Sequence, residues 1–494
     1  MKFFLHTSLL ALALSVASNS SLFAGEIVVR QVIPRDHIDR GKWWSVYKDA
    51  KLDLLIRDAS LANNDLKQAV LRFDQSRAMA RIARSQFFPT GTINASATRQ
   101  ATSGATTVPF DPNGQVFLGN NFDIPLDVSY EIDLWGRVRK SYEAAVNDTA
   151  AAAANTRTVL LAVQAEVAQN YFGLRALDAE IAAMDRAITL LTEAQNIALA
   201  KQKSGTATDL EVARATGELA MQQAERTGLQ SQRDQLENAI AVLIGRRPQG
   251  FDILSTGENL PSVPTLPTSV PSDLLERRPD IASSQRALSA NLARVGVAKL
   301  AGYPSIRLTG SGGVVSGSLG DLFSNGSEKW TIGPSISIPV FAGGKNQANL
   351  EATKAAADIS LAQYRQQIIT AFAEVENQLS SLDHLALALT YQTTAMEQTE
   401  KARTLAKTRY DSGVGAYLDT LDANRSAISS QRRLHQLHGQ QLISSVTLIK
   451  SLGGGWNQNM PTEIPVTKAD PEALLPAANA PKKKNFFQRL FKKD

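Results

Sequence analysis

The chain of 494 residues has no cysteine. That excludes disulfides, thiolate metal sites, a cysteine nucleophile and an acylated cysteine at a mature N-terminus. Histidine and methionine are scarce, at five and six residues. His435 and His438 have helical i, i+3 spacing, but zinc asks for three or four ligands and no third lies near in sequence, so the two read as a surface pair. After the N-terminus no run of 18 apolar residues occurs, which argues against a membrane-spanning helix. Gly310-Ser311-Gly312-Gly313 is not followed by a helical pattern, so it is no phosphate loop. No nucleophile–base constellation stands out. No catalytic residue, metal or cofactor is therefore assigned, and the chain does not read as an enzyme. A basic face is also lacking. Net charge is +5, but Lys482, Lys483, Lys484, Arg489, Lys492 and Lys493 against Asp494 supply all of it, and with Lys2 set aside the body is −1. Nothing supports a nucleic-acid partner. The basic tail, KKKNFFQRLFKK, suits either contact with anionic lipid or a solvated terminus.

What is present centres on Phe122 to Arg139. Phe122, Ile124, Leu126, Val128, Tyr130, Ile132 and Leu134 alternate with polar residues, among them Asp123, Asp127, Glu131 and Asp133. Period 2 predicts a strand with one oily and one wet face, and four carboxylates on the wet face suit a barrel wall with lipid outside and water inside. Those four acids then line the lumen and bias it toward cations. After Trp135-Gly136 the period turns helical.

Breakers divide the rest. Residues 1–24 read as a signal peptide, with one lysine, a short apolar run and small residues after it. A first unit spans 26–245: a helix from Asp49 to Phe87, a long-looped β-hairpin over 88–135 whose first strand is 90–99, a helix over 137–204 containing only Gly173, and a helix over 208–245. Residues 246–271 form a proline-rich crossover. A second unit spans 272–456: a helix to about 302, a hairpin over 304–341, a helix over 347–412 without glycine or proline, and a helix over 416–452. A linker and the basic tail fill 457–494. Gly136, Gly205, Leu210 and Gly245 recur 208 residues later as Gly344, Gly413, Leu418 and Gly453. The chain thus reads as an internal duplication of helix, hairpin, helix, helix.

Each unit offers two membrane-type strands, four per chain. Four strands cannot close a spanning barrel, and open strand edges are not tolerated in lipid, so several chains must share one. Helices of Ala, Leu, Ile and Val interspersed with Gln, Ser and Thr suit packing against neighbours on both sides. The expected fold is a mixed α and β membrane protein.

The stretches SYEIDLWGRVR (Ser129 to Arg139), LLERRPDI (Leu274 to Ile281), SIPVFAGG (Ser337 to Gly344), RYDSGVGAYLDTLDANRS (Arg409 to Ser426) and SLGGGW (Ser451 to Trp456) resemble the outer-membrane efflux factors, the TolC/OprM/NodT-type channels of tripartite export systems. The resemblance covers about residues 40 to 456. It implies a homotrimer with a twelve-stranded β-barrel in the Gram-negative outer membrane, continued by a long α-helical barrel in the periplasm. It further implies a passive exit duct docked through a periplasmic adaptor protein to an inner-membrane transporter, expected here to be of the RND type. Many such relatives carry an acylated N-terminal cysteine, which this chain lacks. Two other readings compete: a duct of the type I secretion kind for protein export, and a trimeric coiled-coil surface fibre that transports nothing.

Leu418, Asp422 and Arg425 lie at i, i+4, i+7 on one helix face. The resemblance places an iris-like periplasmic gate there, with Asp422 and Arg425 as a latch across protomers and Asp419 as a weaker member. It also makes the turns Ser204, Gly205, Thr206 and Gly413, Val414, Gly415 adaptor-contacting tips. Taken alone, the residues favour plain helix turns and a solvated helix face.

Overall fold

The computed structural model describes residues 41–102, 117–264 and 277–454. The expected signal peptide, the end of the crossover, the basic tail and parts of LLERRPDI and SLGGGW fall outside them.

Helix α1 is Ala50–Ala62 and α2 is Asn64–Ser85. The expected single helix from Asp49 to Phe87 is broken at Asn63, whose extended backbone (φ −64°, ψ 128°) ends α1. Its side-chain oxygen caps α2 by accepting from the N–H groups of Asp65 and Leu66 at 2.9 and 3.0 Å. Its amide also donates to the Leu243 carbonyl at 2.9 Å. A buried asparagine that satisfies three backbone groups outweighs the lost helical continuity.

The sheet holds β1 (Thr90–Ile93), β2 (Ser96–Thr102), β3 (Phe117–Ile132), β4 (Ser305–Ser316) and β5 (Glu328–Ser337). All pairings are antiparallel, in the order β1–β3–β4–β5 with β2 also on β3. The strand expected over 90–99 is thus two pieces on one partner, interrupted at Asn94-Ala95. Opposite the interruption stands Pro125, which has no N–H to give. The Pro125 carbonyl accepts from Asn94 N–H at 3.1 Å. β1 with β2 on one side and β5 on the other are the sheet's outer strands. Each leaves one edge unpaired among the described residues.

Two helices of 67 residues dominate: α3 (Arg137–Lys203) and α6 (Lys345–Asp411). At 1.5 Å per residue each is about 100 Å long. Both begin after a glycine in the left-handed region, Gly136 at φ 88° and Gly344 at φ 81°. α4 (Asp209–Leu243) and α7 (Tyr417–Ser451) have 35 residues each, and α5 (Pro279–Leu300) has 22, the same as α2. Near the sheet, α3 packs against α2 and α5, and α5 against α6; farther out, α3 packs against α4 and α7, and α7 against α6. The helices therefore form a wall in which α3 and α6 are the continuous members. The shorter helices stack end to end beside them.

The principal core lies where α1, α3, α4, α7 and the first part of the crossover meet, with Leu52, Ile56, Tyr171, Phe172, Ile240, Ile253, Leu442 and Val446 fully or nearly fully buried. Beside it sits a charged cluster. Asp178 accepts from Arg175 Nη1 at 2.9 Å and Arg233 Nε at 2.8 Å. Arg233 also reaches Glu237 and the Ile253 carbonyl, Arg175 reaches the Leu254 carbonyl, and Glu237 accepts from Ile253 N–H. These bonds pin residues 253 and 254 of the crossover to the helices.

Candidate functional site

Register decides which side chains share a face of the sheet. Ile124–Val314, Leu126–Gly312–Trp330, Val128–Gly310–Ile332, Tyr130–Leu308–Pro334 and Ile132–Ile306–Ile336 form one face. It is apolar almost throughout, and much of it is exposed: Trp330, Ile332, Ile336 and Leu126 keep 80, 69, 63 and 47% of their surface. Ile124 and Ile132 are eight steps apart on β3, about 27 Å of strand at ~3.4 Å per residue. That matches the apolar band of roughly 25 Å on a membrane barrel. At the helix end of the band stand Trp135 and Tyr303, with ring centroids 5.4 Å apart. The Trp135 indole donates to the Pro304 carbonyl at 2.7 Å. That bond satisfies its one polar group where an interfacial aromatic would sit.

The other face carries Thr92–Asp127–Ser311–Thr331, Ser129–Thr309 and Glu131–Arg307–Ser335. Each of its carboxylates has a polar partner. Asp123 forms an ion pair with Lys329. Glu131 accepts from Arg137 Nη2 at 2.7 and 2.8 Å, with Arg307 at 3.8 Å. Asp127 accepts from the Asn94 amide at 3.2 Å. Lys329, Arg137 and Arg307 thus set positive charge beside Asp123 and Glu131 on this face, Arg137 from only six residues along the chain, while Asp127 is bonded to the neutral Asn94 amide. Asp133 stands beyond the end of β3. Its carboxylate accepts from Val138 and Arg139 N–H at 3.0 and 2.9 Å. Those bonds close the first turn of α3, which Gly136 cannot cap with a side chain.

The far helix ends are two turns of the same build. Gly205 and Gly413 have φ 74° and 75°. That conformation costs glycine no steric clash. Thr206 N–H reaches the Lys201 carbonyl at 2.8 Å, and Val414 N–H the Arg409 carbonyl at 3.0 Å. Ser204, Gly205, Thr206, Gly413 and Val414 are exposed and Gly415 half-buried. Ala198, Ala215, Tyr417, Val212 and Tyr410, from α3, α4, α6 and α7, cluster just behind. Lys201 Nζ lies 4.1 Å from the Tyr410 ring centre. Both turns thus sit at one end of the wall.

On α7, Leu418, Asp419, Asp422 and Arg425 are all exposed. Arg425 has a partner the sequence did not suggest: its Nε donates to Glu218 Oε2 on α4 at 2.6 Å. Glu218 is 1% exposed, and its other oxygen accepts from the Gln222 amide at 3.0 Å. One heptad on, Arg432 pairs with Glu225 and approaches Glu180 at 3.7 Å. The missed signal was the matching seven-residue spacing of Glu218–Glu225 and Arg425–Arg432.

An inside-out sheet set on a wall of long helices is the architecture of an outer-membrane channel. The model of the outer membrane efflux protein family matches residues 55–246 and 270–454. The toluene efflux pump outer membrane protein TtgF of Pseudomonas putida is 33% identical over 417 residues, 84% of this chain and 85% of its own. The outer membrane protein OprJ of Pseudomonas aeruginosa is 32% identical over 439 residues, 88% of this chain and 90% of its own. The solved outer-membrane channel OprN superposes with a TM-score of 0.78 at 29% identity, covering 86% of this chain and 96% of that one. The CmeC channel of Campylobacter jejuni also gives 0.78, at 28% identity, covering 91% and 95%. The chain belongs to the outer membrane efflux protein family.

Proposed function

We propose that this chain is the exit duct of a tripartite efflux pump, conducting substrates passively from a periplasmic adaptor and an inner-membrane transporter of the RND type to the exterior. The observation that carries the reading is the sheet, with its apolar face outward, its carboxylates on the other face and both edges open among the described residues. Three copies, edge to edge, close a twelve-stranded barrel, the helical wall becomes a periplasmic α-helical barrel, and no strand edge remains in lipid. The equal lengths of α3 and α6, and of α4 and α7, support an internal duplication, with residues 26–245 and 272–456 as its halves.

In this reading Asp123, Asp127 and Glu131 face the lumen, Asp133 stands at its base, and the tips at Ser204–Thr206 and Gly413–Gly415 receive the adaptor. Leu418, Asp419, Asp422 and Arg425 form the gate at the periplasmic end. The Arg425–Glu218 bond adds a feature to that gate: it ties α7 to α4 within a protomer, so widening the end by moving α7 must break or carry this pair. Native mass spectrometry of the detergent-purified protein tests the assembly. A trimer is expected, and a monomer that stays soluble without detergent contradicts it.

A further inference from the structure

The crossover beyond residue 254 is held differently from its pinned start. Glu258 forms an ion pair with Arg186 of α3. Pro261 presents its carbonyl to His438 of α7. His435, one turn earlier, faces Glu258, and its Nε2 is buried with no hydrogen-bond partner. The two histidines that read as a surface pair are therefore half-buried beneath this segment.

Both imidazoles are held below the ordinary value of 6.5, chiefly by burial. For His435 the nearby Arg186 and His438 add to that effect, and Glu258 opposes it. For His438 the Pro261 carbonyl opposes it. Other charges near this face are Arg432 of α7 and Glu180 of α3, the latter bonded to the Gln436 amide at 2.9 Å. Burial holds the Glu180 carboxyl above its usual range. Its protonation therefore favours the folded state, opposite in sign to that of the histidines. The sign for the histidines follows from linkage: a seated segment refuses protons that a released one accepts. Seating thus weakens as pH falls through about 6.5. A protonated His435 carries two N–H donors, and its buried Nε2 has no hydrogen-bond partner in this site.

We infer that residues 256–264 form an acid-sensitive clasp: protonation of His435 and His438 frees this stretch from α7, while the Arg175 and Arg233 pins keep residues 253 and 254 in place. The neutral imidazoles fill the space under the segment at neutral pH. Two cations beside Arg186 crowd positive charge under a segment that is held by Glu258, Pro261 and the half-buried Leu260 and Val263 alone, whereas α3 and α7 are packed along their length. The piece that gives way is the clasp. Since the crossover joins α4 to α5, its release changes how the two halves of the chain are tied together without unfolding either.

Hydrogen exchange on the full-length protein in detergent, corrected for the intrinsic pH dependence of exchange, tests this. Between pH 7.5 and 5.5 exchange across 256–264 should rise several-fold, while α3 around Tyr171 and Phe172 stays protected. The double variant His435→Gln, His438→Gln should show a flat profile. Glu258→Ala should free the segment already at pH 7.5. Wild-type exchange that ignores pH, or an equal rise in the double variant, overturns the clasp. A rise shared by α3 also overturns it, since that is general acid unfolding.

Discussion

Replacing Arg233 by methionine isolates what the buried cluster contributes. In the native chain, two arginines and two carboxylates share hydrogen bonds, and the side chains of Asp178 and Arg233 are 1 and 9% exposed. Arg233→Met leaves Asp178 with Arg175 alone and Glu237 with only the Ile253 N–H, so one buried negative charge lacks a counter-ion. Breaking such a pair from one side costs about 3–5 kcal/mol, whereas removing both partners is close to neutral. Arg233→Met should therefore lose most of that amount in isothermal denaturation, and a protease should nick it within residues 251–264. The double variant Arg233→Met, Glu237→Leu should recover at least half. A single variant within about 0.5 kcal/mol of wild type, the range of an ordinary surface substitution, refutes the account of the cluster. So does a double variant no better than the single.

Two further effects follow from local geometry. A Cβ on Gly439 would lie 2.5 Å from the Ala176 Cβ where α7 crosses α3. Gly439→Ala should cost about 1–3 kcal/mol by overpacking, measured as a lowered denaturation midpoint. Burial works against the charge on Asp280, but Arg278, the Ile281 N–H and Gln367 outweigh it and hold the carboxyl below its usual range. Its contribution is thus present above the unfolded-state value near 3.8 and lost as pH falls through the lower folded value. Asp280→Asn should lower stability at pH 7, with a gap that closes toward pH 3 in the same denaturation assay.

The long helices were legible because breakers delimit them: α3 starts after Gly136 and ends before Gly205, and α6 lies between Gly344 and Gly413. The inverted sheet was legible because alternation with acids every second residue in β3 has few other physical readings. The break at Asn63 was not, since its cause is a hydrogen bond to Leu243, 180 residues away. Asp133 kept the alternation and still left the strand, because a glycine N-cap needed an acceptor from nearby. The Asp123–Lys329 pair was hidden for a similar reason: Lys329 meets Asp123 only once β4 has paired with both β3 and β5. The bond from Arg425 to Glu218 was not legible either, because it joins α7 to α4 across 207 residues. His435 and His438 looked like surface residues because nothing in their own helix shows that the crossover lies over them.

The claim that this chain builds a pore is tested most directly by planar-bilayer conductance of the purified protein, wild type against the double variant Asp422→Ala, Arg425→Ala. The account predicts small, poorly open channels for the wild type and a marked rise in conductance for the variant. Unchanged conductance would keep the duct and remove the gate from these residues. No channel at all, from protein shown to be folded and trimeric, would contradict the duct itself.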